Sequence, residues 1–303
     1  SGDGRATLGP VLREYIISEY MNSINIPTTR SLAAITTGEK VVRERILPGA
    51  ILVRIANSHV RVGTFQYFAA RQMTKEIKIL ADYIIERHFK LSLSSKNIYE
   101  KFLMEIIKSQ ANLISKWMSA GFIHGVMNTD NTCLSGETID YGPCAFLDNF
   151  DYNKVFSSID YQGRYSYKNQ PNIILWNLTR FAETILPLID NNLNKSIKKA
   201  EEILNEFASI YESNWISIMG YKLGIDEANK TDKNLIEEFL TLMQNQQLDF
   251  TNSFYSLSFL IEKDQIEKEG PPKSHRIYSK IKSSDWYAKW TKRLNINKKN
   301  LKK

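Results

Sequence analysis

Only two cysteines, Cys133 and Cys144, stand in this chain of 303 residues. That excludes a disulfide-framed secreted domain and fits a reducing compartment. Four histidines, His59, His88, His124 and His275, are scattered along the sequence, so no ligand spacing for a zinc site exists. No stretch approaches the run of apolar residues that a membrane-crossing helix needs. The opening Ser1-Gly2-Asp3-Gly4 is not a signal peptide, and without an initiator Met the chain reads as a processed or truncated product. Internal repeats and low-complexity blocks are absent. With 43% hydrophobic and 24% charged residues, a wholly disordered, fibrous or collagen-like chain is excluded as well.

What is present suits one large domain or two small ones, with enough chain to bury a core without disulfide or metal staples. Forty basic residues less 33 acidic ones leave a net charge of +7. Such a balance fits a nucleotide or another anionic ligand and does not demand nucleic acid. Much of the excess lies in Lys289, Lys292, Arg293, Lys298, Lys299, Lys302 and Lys303, which read as a solvated, fraying tail. Frequent Asn, Ile and Lys point to an AT-rich bacterial source, hence the cytoplasm.

The periodicities sketch an α+β chain. Residues 1–9 read as a Gly-rich loop, and Pro10 as the first residue of a helix that runs to about Asn22 and carries Glu14 and Glu19. Ile26-Pro27-Thr28-Thr29-Arg30 breaks the pattern. Residues 31–37 and 40–46 read as a hairpin turning near Thr37-Gly38-Glu39, followed by a β-rich run over 50–57. After Gly63 the pattern is helical, over about 64–89, 96–119, 172–187, 194–219, 232–245, 250–263 and 284–293. Between 120 and 171 the chain is irregular, and a long ordered loop region of this kind is usually functional. Its aromatics, over 141–167, read as packing rather than as a platform for bases.

That irregular region carries the chemistry. Phe122-Ile123-His124-Gly125-Val126-Met127-Asn128-Thr129-Asp130-Asn131 is followed by Ile139-Asp140-Tyr141-Gly142-Pro143. An Asn amide oxygen and an Asp carboxylate on neighbouring turns offer the hard oxygen ligands that Mg²⁺ prefers beside substrate phosphates. The step from His124 to Asn131 is the kinase step from the catalytic-loop His to the metal-binding Asn, and Asp140-Tyr141-Gly142 stands where Asp-Phe-Gly would. The kinase base position falls on Val126, which takes no proton; Asp130 is the nearest carboxylate. His124 reads as an orienting, hydrogen-bonded loop histidine.

Upstream, Arg54 shares one face of the β-rich run with Leu52 and Ala56, and Arg61 follows seven residues later. Arginines can hold phosphate oxygens through several donors, although an edge-strand Arg in a surface ion pair is the plain alternative. A helical Glu such as Glu14 can pair with a phosphate-binding cation or simply be solvated. Asp3-Gly4 carries little alone.

Taken in order, these blocks resemble the selenoprotein O (SelO) family, pseudokinases that act as protein adenylyltransferases. The resemblance rests on Gly2-Asp3-Gly4-Arg5-Ala6, Arg13-Glu14-Tyr15, Ile26-Pro27-Thr28-Thr29-Arg30, Leu52-Val53-Arg54 and Ser58-His59-Val60-Arg61. It continues through His124 to Asn131, Ile139 to Pro143, Gly163-Arg164-Tyr165, Asn169-Gln170-Pro171 and Trp176-Asn177-Leu178. It covers about residues 2–190; the remainder is similar only as a helical tail.

The resemblance implies a protein-kinase-like α+β fold, with a partial N-terminal lobe over 1–63 and a mainly helical lobe over 64–303. The metal and nucleotide loop would span 122–143. It implies transfer of AMP from ATP to Ser, Thr or Tyr hydroxyls of proteins, with Mg²⁺ or Mn²⁺, and neither nucleic acid nor membrane as partner. Asp130 would be the base, Asn131 and Asp140 the metal ligands. Asp3, Gly4, Arg54, Arg61 and Asp140 would contact nucleotide, and Glu14 would be the helix Glu that pairs with a Lys. The family's glycine-rich loop and that Lys precede the Gly2-Asp3-Gly4 block, so the chain reads as cut at both ends. Two alternatives stay open: an inert pseudokinase fragment that binds nucleotide or a partner, and a phosphotransferase with a rewired base.

Overall fold

In a computed structural model, residues 2–261 and 272–300 are described. The N-terminal part is a helix against a three-stranded antiparallel sheet. Strand β1 (Ala6–Thr7) runs directly into helix α1 (Leu8–Ser23), and β2 (Arg30–Val42) pairs with β3 (Ile46–Ile55). The strand order is β1-β3-β2, with Ala6 opposite Ala50 and Ile35 opposite Ile51. Helix α1 packs across β2 and β3.

Helices α2 (Val62–Ala69) and α3 (Thr74–Ile84) follow, the latter continuing into a π-helical turn, Ile85–Phe89. Helix α4 (Ile98–Ala120), α5 (Gln170–Ile189) and α6 (Leu193–Lys222) pack on one another and form the centre of the helical part. Between α4 and α5, β4 (Phe122–Ile123) pairs antiparallel with β5 (Ala145–Phe146) around a 3₁₀ turn, Thr129–Asn131. Helices α7 (Lys233–Gln246), α8 (Phe250–Ile261), α9 (Pro272–Lys282) and α10 (Asp285–Asn300) complete the chain. Among the described residues, no helix is long and apolar enough to cross a membrane.

The α+β class is as the sequence reads, and several local expectations are corrected. The hairpin turns at Arg43–Arg45, not at Thr37-Gly38-Glu39. The latter is an irregularity inside β2, between Thr36 and Lys40, where Gly38 takes a φ of +76°. Turn-type composition served a bulge here, because glycine tolerates the left-handed backbone in either setting. Pro10 is the third helical residue rather than the first, since β1 and the helix start displace the expected loop. The single helix expected over 64–89 breaks at Gln72, which has a φ of +56°. Helix α9 was not foreseen. The last two residues of the helix expected over 250–263 lie outside the described residues.

As far as Arg293, the basic C-terminal stretch is docked, not frayed. Trp286 lies 4.2 Å from the Phe239 ring, and the Trp290 Nε1–H donates to the Leu223 carbonyl at 2.8 Å. Arg293 pairs with the buried Asp232 at 2.6 Å, and Lys289 with Glu238 at 2.8 Å. Trp286 and Trp290, four residues apart, put two indoles on one helical face, and their burial outweighs the solvation of the neighbouring lysines. Lys302 and Lys303 lie outside the described residues.

Candidate active site

The loop after α4 is built around His124, which is fully buried. Its backbone N–H donates to Gln170 Oε1 at 3.0 Å, and Gln170 Nε2 donates back to the Phe122 carbonyl at 2.9 Å. The ring Nε2 lies 2.8 Å from the Ile139 carbonyl and Nδ1 lies 3.4 Å from the Val126 amide. A carbonyl on one side and an amide on the other select the neutral tautomer with the proton on Nε2. Burial pushes the imidazole below its ordinary pKa, against the weaker upward pull of the Ile139 carbonyl and the Asp140 charge. His124 therefore orients, as its sequence context suggested. It ties the segment leading to Asp140 to the segment leading to Asn131.

Asp130 and Asn131 share the 3₁₀ turn. Asn131 Nδ2 donates to the Val126 carbonyl at 3.0 Å, which leaves the amide oxygen available to a ligand. Asn177 of α5 fixes the same turn from below, donating to the Met127 carbonyl at 3.1 Å and to Thr132 Oγ1 at 2.8 Å. Asp130 is exposed and lies against the first turn of α2, where a Cβ on Gly63 would overlap its Oδ1. Gly63 thus allows the carboxylate to approach the α2 backbone. Arg61 precedes that turn; its backbone is bridged to Cys133, and its Nε–H is buried with no protein acceptor.

Asp140 takes a φ of +69°, and one of its oxygens accepts weakly from the Gly142 amide at 3.3 Å. A left-handed non-glycine residue costs strain of order 1 kcal/mol and is often found at functional sites. The next amide, of Tyr141, donates to Glu14 of α1. Glu14 also receives the guanidinium of Arg54 from β3. Burial raises the Glu14 carboxyl above its ordinary pKa, with the Asp140 charge adding to it and Arg54 and the Tyr141 amide opposing. Gly4, Val11, Glu14, Leu52 and Arg54 line one cavity of 400 Å³. Leu52 and Arg54 share its wall with Ala50 and Ile51. Asp3 sits apart from Glu14, paired with Arg43 at 2.9 Å.

The structure therefore gathers Gly4, Glu14 and Arg54 at one cavity and joins Glu14 to the Asp140 loop. It couples that loop through His124 to Asp130 and Asn131, and places Arg61 at the start of the helix whose Gly63 meets Asp130. Within the described residues, Glu14 pairs with Arg54. Among the described residues no three His, Cys, Asp or Glu side chains cluster as a metal site. An amide oxygen from Asn131 and a carboxylate from Asp140 are hard donors. They suit a cation that takes most of its remaining ligands from phosphate and water, as Mg²⁺ does.

Sequence reasoning assigned no role to Arg13. Its guanidinium donates to the carbonyls of Tyr141, at 2.9 Å, Gly142, at 2.6 Å, and Cys144. Next to Glu14 in the chain, it makes α1 grip the Asp140 loop twice. Thr28 Oγ1 meets the Tyr141 hydroxyl, and Glu137 accepts from the Asn57 amide at 3.0 Å, so the two parts are cross-linked further. Adjacent opposite charges on one helix were the signal, but nothing local says what they hold. Cys133 and Cys144 are free and buried, and burial pushes their thiols up to about 12 and about 11.

Comparison with known proteins shows the family. The family profile for protein adenylyltransferase SelO matches residues 1–303. A protein nucleotidyltransferase YdiU of Clostridium botulinum is 52% identical over 293 residues, 97% of this chain and 58% of that protein. A YdiU of Clostridium perfringens is 53% identical over the same shares. One from Clostridium beijerinckii is 52% identical over 297 residues, 98% of this chain and 59% of its own. The chain thus spans less than two thirds of the length of these curated relatives.

Proposed function

The chain belongs to the SelO family of protein adenylyltransferases, and from that premise we propose that it transfers AMP from ATP to hydroxyl groups of proteins. The observation that carries the proposal is the coupling of Asp130 and Asn131 to Asp140 through the neutral, buried His124. Asn131 and Asp140 would hold Mg²⁺ or Mn²⁺. The bound cation supplies charge neutralisation at the phosphates.

In the proposed reaction the hydroxyl oxygen of an acceptor Ser, Thr or Tyr attacks the α-phosphorus of ATP. A new P–O bond forms as the bond to the β-phosphate bridging oxygen breaks, and pyrophosphate leaves. Asp130 accepts the hydroxyl proton and releases it to solvent. Arg61, with an unsatisfied Nε–H, and Arg54 offset negative charge on the phosphates, and Gly4 lets the nucleotide approach the backbone. Asp3 is assigned a nucleotide contact on the resemblance alone. Glu14 orients Arg54 and the Tyr141 amide. The division into two lobes near Gly63 belongs to this reading, supported by the change from sheet to helices there. The proposed setting is the bacterial cytoplasm, supported by composition and by the clostridial relatives.

The test is to incubate the chain with Mg²⁺ and ATP labelled at either the α- or the γ-phosphate, beside Asp140→Ala. Label on protein from the α position only, lost in Asp140→Ala, is expected. Label from the γ position only would make the chain a phosphotransferase. Label from neither would count against transfer by this chain and leave nucleotide binding.

A further inference from the structure

The region 156–180 presents a surface that the adenylyl-transfer chemistry does not use. The guanidinium of Arg164 lies 4.9 Å from the Trp176 ring centroid and 5.7 Å from that of Tyr165. Arg180, one turn further along α5, approaches the same indole at 5.5 Å. Trp176 is 41% exposed. Arg180 is engaged by Glu183 at 2.6 Å, whereas Arg164 forms no ion pair among the described residues. The carboxylate nearest Arg164 in sequence, Asp160, accepts instead from the backbone amides of Arg164 and Tyr165, at 2.9 and 2.7 Å. These bonds fix the loop and leave the Arg164 guanidinium stacked with its donors open.

This surface is coupled to the candidate site by one residue. Asn177, next to Trp176 on α5, holds Met127 and Thr132, which flank Asp130 and Asn131. The helix that carries Trp176 on its exposed face thus holds the 3₁₀ turn through its buried face. A guanidinium stacked on an indole keeps its planar fork, and such a fork recognises carboxylates in two-point fashion. The loop tip beside it, with Ile159 77% and Tyr161 92% exposed, offers apolar contact to a chain lying alongside.

We propose that Arg164, seated on Trp176 and assisted by Arg180, is a docking point for an acidic side chain of the acceptor protein, near the hydroxyl to be modified. The identity of the occupant as the acceptor rests on the adenylyl-transfer reading. An acidic polypeptide is favoured over single-stranded RNA because both guanidiniums already lie over the Trp176 ring, on which a base would otherwise stack.

The experiment measures fluorescence anisotropy of two labelled peptides around a central Tyr, one with Asp and Glu flanks and one with Asn and Gln. The acidic peptide is expected to bind about tenfold more tightly at low salt, with the preference shrinking at high salt. Arg164→Glu should remove the preference, and Arg164→Lys should restore only part of it, because charge returns without the planar fork. Matching thermal melts show that both variants fold. Equal affinity for the two peptides, or an unchanged preference in Arg164→Glu, overturns the proposal. So does an RNA oligonucleotide that displaces the acidic peptide and binds more tightly through Arg164. Label transfer from α-labelled ATP is read separately. Acidic-peptide binding without transfer would speak against the adenylyl-transfer reading and leave the docking point standing; transfer with no acidic preference would do the reverse.

Discussion

Up to Ile55, the buried apolar side chains are Val11, Met21, Ile26, Val41 and Ala50, while Leu32 and Val42 stand 65% and 70% exposed. In the helices that follow, Phe65, Phe102 and Phe181 are fully buried and meet edge to face at 5.1 and 5.6 Å. The sheet region reaches that core through Met21, Ile26 and the Tyr20–Phe146 ring pair at 5.2 Å, and is fixed further by named polar contacts: Arg13 to three carbonyls, Glu14 to the Tyr141 amide, Thr28 to Tyr141. Apolar burial is non-directional and spread over many residues, so the helical part is robust in position. Charge-assisted hydrogen bonds are directional and few. The part of the molecule with the weaker core is thus the part whose orientation single residues can change, and it carries Gly4, Glu14 and Arg54.

The largest expected effect lies in the helical part. Phe181→Ala should lower global stability by about 3–5 kcal/mol, read from denaturant unfolding, because its cavity opens between Phe65 and Phe102. A loss under about 1 kcal/mol would mean that this core is not tightly packed and would erase the contrast. Arg13→Ala should cost less, about 2 kcal/mol for charge-assisted bonds in a partly buried setting. It should nevertheless abolish the thermal shift produced by ATP and Mg²⁺, which Phe181→Ala should only displace to lower temperature. Retention of the full shift in Arg13→Ala would break the comparison.

Lys222 sharpens it from the other side. The amine donates to the Ser119 carbonyl and lies 3.9 Å from the Phe254 ring, and burial holds its pKa down at about 7. In the unfolded chain the amine binds its proton up to about pH 10. The unfolded state therefore holds more protons between these values, and stability should rise as pH increases from about 7 toward 10. The slope should stay below about 1.4 kcal/mol per pH unit. Lys222→Met should flatten that segment of the pH–stability curve; an equal slope in the variant would show that other groups cause it. The smallest effect is expected at Arg30, whose exposed pair with Glu19 at 2.6 Å is screened by salt. Arg30→Ala should melt within the scatter of replicate measurements, and a clear drop would show that even the exposed ion pairs of the sheet region help hold it.

The site was legible where its parts lie close together in the chain. His124, Asp130, Asn131 and Asp140 fall within one loop, so their spacing alone suggests the chemistry proposed for them. The pairing of Glu14 with Arg54 spans forty residues and depends on how α1 lies across β3. Arg13 was overlooked for the same reason: its three acceptors are backbone carbonyls more than 120 residues away, and carbonyls have no sequence signature. The docked C-terminal helix was misread because its lysines outnumber its tryptophans. The two buried indoles, not the count of charges, decide where it lies.

Sequence by itself determined which groups are available: a histidine flanked by small and apolar residues, two oxygen donors nine residues apart, arginines in an apolar strand. It also determined the α+β succession, because strand and helix periods are local properties. Tertiary structure decided which cation meets which carboxylate, which side of His124 carries the proton, and where Asp130 can rest. Those outcomes depend on contacts between segments distant in the chain. The free energy of such a contact is set by burial and by competing partners, neither of which exists until the chain has closed upon itself.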